Sequence, residues 1–138
     1  MLKYYEKAES LDVAIAAKNL GLAYLQGFLV PQDMLRGYDY VERAADLGMT
    51  NEHYRLGLMH EEGIGMPVTY TEAAYHYRLA ALNGHQKALR RLVDLYLTGR
   101  GVSHDLDRAI FWLQQLVATG DKNSLQFSKI SLIRTIVP

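Results

Sequence analysis

The chain has 138 residues, 15 of them basic and 15 acidic, so the formal net charge is zero and no global field favours nucleic acid or an anionic membrane. Hydrophobic residues make up 49% of the sequence, enough for one domain with a core, and the lack of cysteine excludes disulfide staples and thiolate metal sites. The opening MLKYYEKAES has no apolar stretch of signal-peptide type, and no apolar run approaches the roughly 20 residues that cross a bilayer. This implies no membrane insertion. The expected location is cytoplasmic, or periplasmic or secreted if a targeting segment is missing from this sequence.

The dominant signal is a period of 36 residues. Gly27, Gly63 and Gly99 form one column, and Gly48, Gly84 and Gly120 another. Leu20, Leu56 and Leu92 keep the same register, as do Ala45, Ala81 and Val117. A period of this length marks a solenoid, in which each unit buries its apolar face against its neighbours.

In chain order, the opening YYEKAESLD reads as the end of a second helix, because Ala8 precedes Ala44 by one period. It makes a half-repeat over 1–12. The first full repeat, about 13–48, reads as two helices joined at Gly27-Phe28-Leu29, an atypical turn, with Pro31 in the connection and Asp33 as the N-cap. Gly37 stands near the start of its second helix and weakens it. The second repeat, about 49–84, has a first helix from Asn51 to Glu62, stopped by Gly63-Ile64-Gly65. Its second helix starts at Thr69, whose hydroxyl caps it, with Glu72 completing a capping box. The third repeat, about 85–120, turns at Gly99-Arg100-Gly101 and is capped by Asp105. A C-terminal half-repeat or capping helix is expected over 121–138. All of this makes one domain, 1–138.

Gly21 and Gly57 lie inside predicted helices, where glycine costs about 1 kcal/mol relative to alanine. A close approach of the neighbouring helix offsets that cost. Val93 stands in the same column, so wider packing is expected there. Tyr24, Tyr96, Tyr40 and Trp112 are expected to fill the remaining volume while giving their polar tips a partner.

Ala16, Leu20, Gly21, Tyr24, Gly27, Asp33, Tyr40, Ala44, Ala45 and Gly48 together resemble the Sel-one-like repeat, a relative of the tetratricopeptide repeat. Ala88, Leu92, Tyr96, Gly99, Gly101, Val102, Asp105, Ala109, Trp112 and Gly120 carry the same pattern. The resemblance implies an all-α, right-handed α-solenoid of antiparallel helix pairs, TPR-like, and a role in holding other proteins. A branch of this family linked to β-lactams is cysteine-rich, and that link does not carry over to a chain without cysteine.

Candidate chemistry is sparse. His60 and His76 fall in aromatic columns of one repeat and could hold a metal, but an imidazole replacing a ring and finding a hydrogen bond is the plainer reading. His53, His85 and His104 lie near predicted helix ends and are expected in solvent. The Gly-x-Gly pairs sit between helices, whereas a dinucleotide fingerprint follows a strand. No catalytic residue, cofactor or metal is assigned. Lys87, Arg90 and Arg91 share one helix face and read as solvated.

In tetratricopeptide arrays the first helices line a concave groove. The corresponding columns here are Lys18, Tyr54 and Arg90; Leu22, Leu58 and Asp94; and Leu25, Glu61 and Leu97. The sequence thus reads as a non-catalytic protein–protein interaction module, a scaffold or adaptor taking a peptide or partner protein in that groove. One alternative is a structural segment of a longer array, or an oligomer self-associating through the apolar ends marked by Leu2, Tyr4, Ile133 and Val137. A further alternative is a hydrolase-type enzyme or metal site using His60 and His76.

Overall fold

The computed structural model describes the backbone of residues 2–119 and the side chains of residues 11–119, so the segment expected to form a C-terminal half-repeat, 121–138, lies outside the described residues. Six helices follow one another: α1 (Leu2–Gln26), α2 (Met34–Asp46), α3 (Thr50–Glu62), α4 (Tyr70–Leu82), α5 (Gln86–Thr98) and α6 (Leu106–Ala118). There is no strand among the described residues. By contact the chain divides into two compact units, Met1–Val68 and Thr69–Pro138. The first holds α1 to α3 and the second α4 to α6, so the middle repeat gives one helix to each.

The turns follow the glycine columns. Gly27, Gly63 and Gly99 end the first helices in the left-handed conformation, with φ of 70°, 69° and 70°. In each case the next amide donates back into the last turn: Phe28 to the Ala23 carbonyl at 3.0 Å, Ile64 to Met59 at 2.9 Å and Arg100 to Leu95 at 3.1 Å. These bonds satisfy carbonyls that a helix end would otherwise leave open. The second helices close in a related way, with Gly48 at φ 104° and Gly84 at φ 79°.

The expected half-repeat 1–12 runs on without a break into the first helix of the first repeat, because α1 spans Leu2–Gln26. Asp12 stands where the later repeats have Gly48 and Gly84, and without a glycine to take positive φ the helix continues. Thr69 occupies the N-cap position of α4 with extended backbone, yet its side chain makes no capping hydrogen bond. Gly37 does not merely weaken α2. It is buried, and a Cβ there would meet Leu25 Cδ2 at 2.6 Å and the Gly21 carbonyl oxygen at 3.2 Å. Its missing side chain lets α1 and α2 cross closely.

In the first unit the core gathers Val41, Ala45 and Leu56, with Leu25 and Tyr38 packed against them. In the second unit Leu89, Leu92, Val93 and Leu95 of α5 and Ala109, Leu113 and Leu116 of α6 are buried. Leu20 departs from its column: it is 43% exposed, while Leu56 and Leu92 are fully buried.

Candidate interaction sites

Two elements of the first unit carry six of the nine residues expected to line a groove. Lys18, Leu22 and Leu25 lie on α1 and are half-buried, as are Tyr54, Leu58 and Glu61 on α3. Leu25 has a defined structural job, since it packs over Gly37 and onto the core. In the second unit α5 carries half-buried Arg90 and Leu97 and exposed Asp94. In each unit these residues offer apolar surface and both charge signs.

The Tyr38 hydroxyl and His60 Nε2 are 3.0 Å apart, with the two rings edge-on at 5.4 Å. His60 is thus a core histidine with a hydrogen-bonded ring nitrogen. His76, also buried, lies edge-on to Tyr75 at 5.1 Å. Of the three histidines expected in solvent, only His104 is exposed. His85 is half-buried and caps α5, its Nδ1 accepting from the Ala88 amide at 3.2 Å. Burial lowers its pKa, and the nearby positive Lys87 lowers it further. His53 is half-buried too, and burial lowers its pKa against the opposing pull of Asp46.

One buried charge escaped the sequence reading. Glu52 is fully buried in the first turn of α3, where Oε2 accepts from Arg55 Nε at 3.0 Å. A carboxylate there also faces the positive end of the helix dipole. The available signal was its column, which holds Ala16 and Ala88 in the other repeats.

A second constellation recurs in both units. The Asp33 amide donates to the Tyr24 carbonyl at 2.9 Å, and the Asp105 amide to the Tyr96 carbonyl at 3.3 Å. Each aspartate then caps its helix, Oδ1 accepting from the Arg36 amide at 3.2 Å and the Arg108 amide at 3.1 Å. This fixes the arginine three residues on beside the same tyrosine. Arg36 and Arg108 each reach the Tyr24 or Tyr96 hydroxyl at 3.5 Å and the cap carboxylate at 3.6 Å. The hydrogen bond to the tyrosine and its charge interaction raise both arginine pKa values. In the first unit Tyr24 also stacks on Tyr40, centroids 5.7 Å apart.

The second unit adds a further cation. Arg78 of α4 donates to the Tyr96 hydroxyl at 3.4 Å, opposite Arg108. Together with Val102, Ser103 and Asp105 these residues line a cleft of about 310 Å³. None of the nine groove residues takes part in it.

Six helices with turns that repeat every 36 residues, and no strand among the described residues, define an all-α solenoid. Comparison with known proteins gives the family. The Sel1 repeat model matches residues 14–49, 53–85 and 86–120, and the chain belongs to the Sel1 repeat family. It is 31% identical over 105 residues to the alginate biosynthesis protein AlgK of Azotobacter vinelandii, covering 76% of this chain and 23% of AlgK. Among solved structures it is similar to c5321, a protective antigen of uropathogenic Escherichia coli with an SLR fold, at TM-score 0.81 and 32% identity over 96% of this chain and 28% of that one. It is also similar to a Sel1 repeat protein from Oxalobacter formigenes, at TM-score 0.77 and 27% identity over 87% of this chain and 49% of that one. The chain therefore spans about a quarter of AlgK and of c5321. Membership of this family suggests a protein–protein interaction module. Among the described residues no helix is long and apolar enough to cross a membrane.

Proposed function

We propose that this chain is a non-catalytic interaction module that holds a peptide or partner protein against the first helices of its repeats. The observation that carries the reading is that Lys18, Leu22, Tyr54, Leu58 and Glu61 on the first helices of the first unit are half-buried, as are Arg90 and Leu97 on α5 of the second, where Asp94 is exposed. Side chains that a repeat's core leaves half-covered, with apolar anchors and both charge signs, suit a polypeptide better than a polyanion. Aromatic and arginine side chains dominate such interfaces, so Tyr54 and Arg90 are the anchors. The test is capture of partners from a lysate, identified by mass spectrometry, by the parent and by Tyr54→Ala and Arg90→Glu variants. Both variants are expected to lose the captured protein while melting like the parent. Capture that ignores both changes but is lost with Arg43→Glu on α2 overturns the reading.

A second reading, self-association through an end, has its own support. Leu20 with Val13, Ala16, Ala17, Tyr40 and Arg43 lines an almost wholly apolar hollow of about 190 Å³ on the first unit. The leucines in the same column of the later repeats are fully buried. Leu20 therefore occupies a position that this fold elsewhere covers.

A further inference from the structure

We infer that the cleft between Arg78 and Arg108 in the second unit is a binding site for a single carboxylate, carried by an acidic side chain or chain end of a bound polypeptide. The geometry begins with Tyr96, a phenol only 3% exposed whose hydroxyl receives both guanidinium groups, from Arg78 at 3.4 Å and from Arg108 at 3.5 Å. A phenol oxygen is a weaker acceptor for a cation than a carboxylate, and two guanidinium groups that share it still repel each other. Arg108 has Asp105 at 3.6 Å, but no carboxylate pairs with Arg78 among the described residues. The lining thus carries one uncompensated positive charge. Two planar donors flanking a pocket are the arrangement that recognises a planar oxyanion. The single excess charge, with Asp105 in the wall, favours a monoanion over a phosphate dianion. Ser103, also in the lining, supplies a further hydroxyl.

Comparison within the chain sharpens the point. The Asp–Arg–Tyr constellation itself is a repeat feature, since Asp33, Arg36 and Tyr24 reproduce it. What is particular to the third repeat is Arg78. Its column reads Glu6, Glu42, Arg78 and Gln114, so only here does the preceding second helix offer a cation. The capping module explains why Arg108 is where it is; it does not explain a second arginine on the same oxygen. The cleft is lined by α4, α5 and the start of α6, and contains none of the first-helix stripe. It rests on the interaction-module reading only for the carrier of the carboxylate, a polypeptide.

The test follows arginine Nε–H resonances of the whole protein by NMR while N-acetyl-glutamate amide is added at constant ionic strength. N-acetyl-glutamine amide and inorganic phosphate are titrated in parallel. The expected result is a saturable shift of the Arg78 and Arg108 signals with the glutamate probe, in the millimolar range, and none with the glutamine probe. Arg36, the internal control, should not saturate. Arg78→Gln should weaken the response at Arg108 by roughly tenfold, the scale of one charge-assisted hydrogen bond. Arg108→Gln, which leaves the Asp105 cap in place, should do the same at Arg78, so a folding defect in one variant does not remove the test. No saturation below about 50 mM of the glutamate probe, far weaker than any useful anchor, overturns the inference. So does an equal response at Arg36, or phosphate binding tenfold tighter than the carboxylate. The titration uses no partner, so its failure leaves the Tyr54 and Arg90 experiment standing, and the reverse also holds.

Discussion

Gly21 and Gly37 face each other reciprocally: a Cβ on either would lie 3.2 Å from the carbonyl oxygen of the other. The two backbones are in near contact where α1 crosses α2, and side chains close around the crossing. A Cβ on Gly21 would also meet Val41 Cγ2 at 2.8 Å. Replacing Gly21 with leucine should therefore destabilise the fold by about 1–3 kcal/mol or more through overpacking. Alanine should cost less, because its better helix propensity returns about 1 kcal/mol of the strain. Chemical denaturation of the two variants checks the order. A leucine variant as stable as the parent would mean that the helices separate at little cost.

This crossing also shows what the sequence could and could not display. The period placed Gly27, Gly63 and Gly99 at helix ends and Asp33 and Asp105 at helix starts, because those roles depend on the local backbone alone. Gly37 was misjudged because propensity is a property of one helix, while its value lies in a second helix folded onto it. Thr69 has a capping residue type without the capping bond, since type gives opportunity and geometry decides. The Arg78–Tyr96–Arg108 cleft was not legible from spacing. It joins residues 18 and 12 positions apart on three helices, and no spacing rule within one helix brings them together. Residue types could still have hinted at it, through the change from Glu42 to Arg78 in a single column.

The first repeat carries an avoidable strain. Leu29 adopts φ 67°, in the column where Gly65 and Gly101 adopt 74° and 70°. A left-handed conformation costs a side-chain-bearing residue roughly 1–2 kcal/mol. Leu29 is 88% exposed, so its side chain returns little by burial. Leu29→Gly should stabilise the protein by about 0.5–1 kcal/mol, after allowing for the greater freedom of glycine in the unfolded chain. Gly101→Ala should do the opposite and more, since its Cβ would run into the Tyr70 carbonyl at an equally left-handed φ. Urea midpoints of the two variants, read at equal slope, test both signs.

Stability should fall as the pH drops below about 6.5, the ordinary histidine value, because of His85 and His53. Both have folded-state pKa values lowered by burial, so between their unfolded and folded values the unfolded chain binds more protons. Their contribution is complete above the unfolded pKa and is lost as the pH falls through the folded one. For His85 the cause is also structural, because a protonated Nδ1 cannot accept from the Ala88 amide. His85→Asn keeps a capping side chain without the titration. It should reduce the slope of melting temperature against pH between about 5 and 7 without abolishing it, since His53 remains. An unchanged slope would remove His85 from the account.

The Leu20 column gives the last prediction, which separates fold stability from association. Leu92 is fully buried in the second unit, so Leu92→Ala should cost about 2–5 kcal/mol, the loss of a packed side chain plus the cavity left behind. Leu20 has the same residue type and register but is 43% exposed, and it borders the apolar hollow with Val13, Ala16, Ala17 and Tyr40. Leu20→Glu should change the melting transition by no more than about 1 kcal/mol, the range of surface substitutions. If copies of this chain associate through that hollow, the same change should dissociate them, because a carboxylate would have to leave water for an almost wholly apolar contact in which Arg43 is the one cation of the lining. Light scattering across a concentration series, run on the parent and on Leu20→Glu, gives the comparison. The association reading requires a mass that rises with concentration for the parent and stays at that of one chain for the variant. A parent that remains a monomer throughout, or a variant that associates equally well, rules out this hollow as the contact.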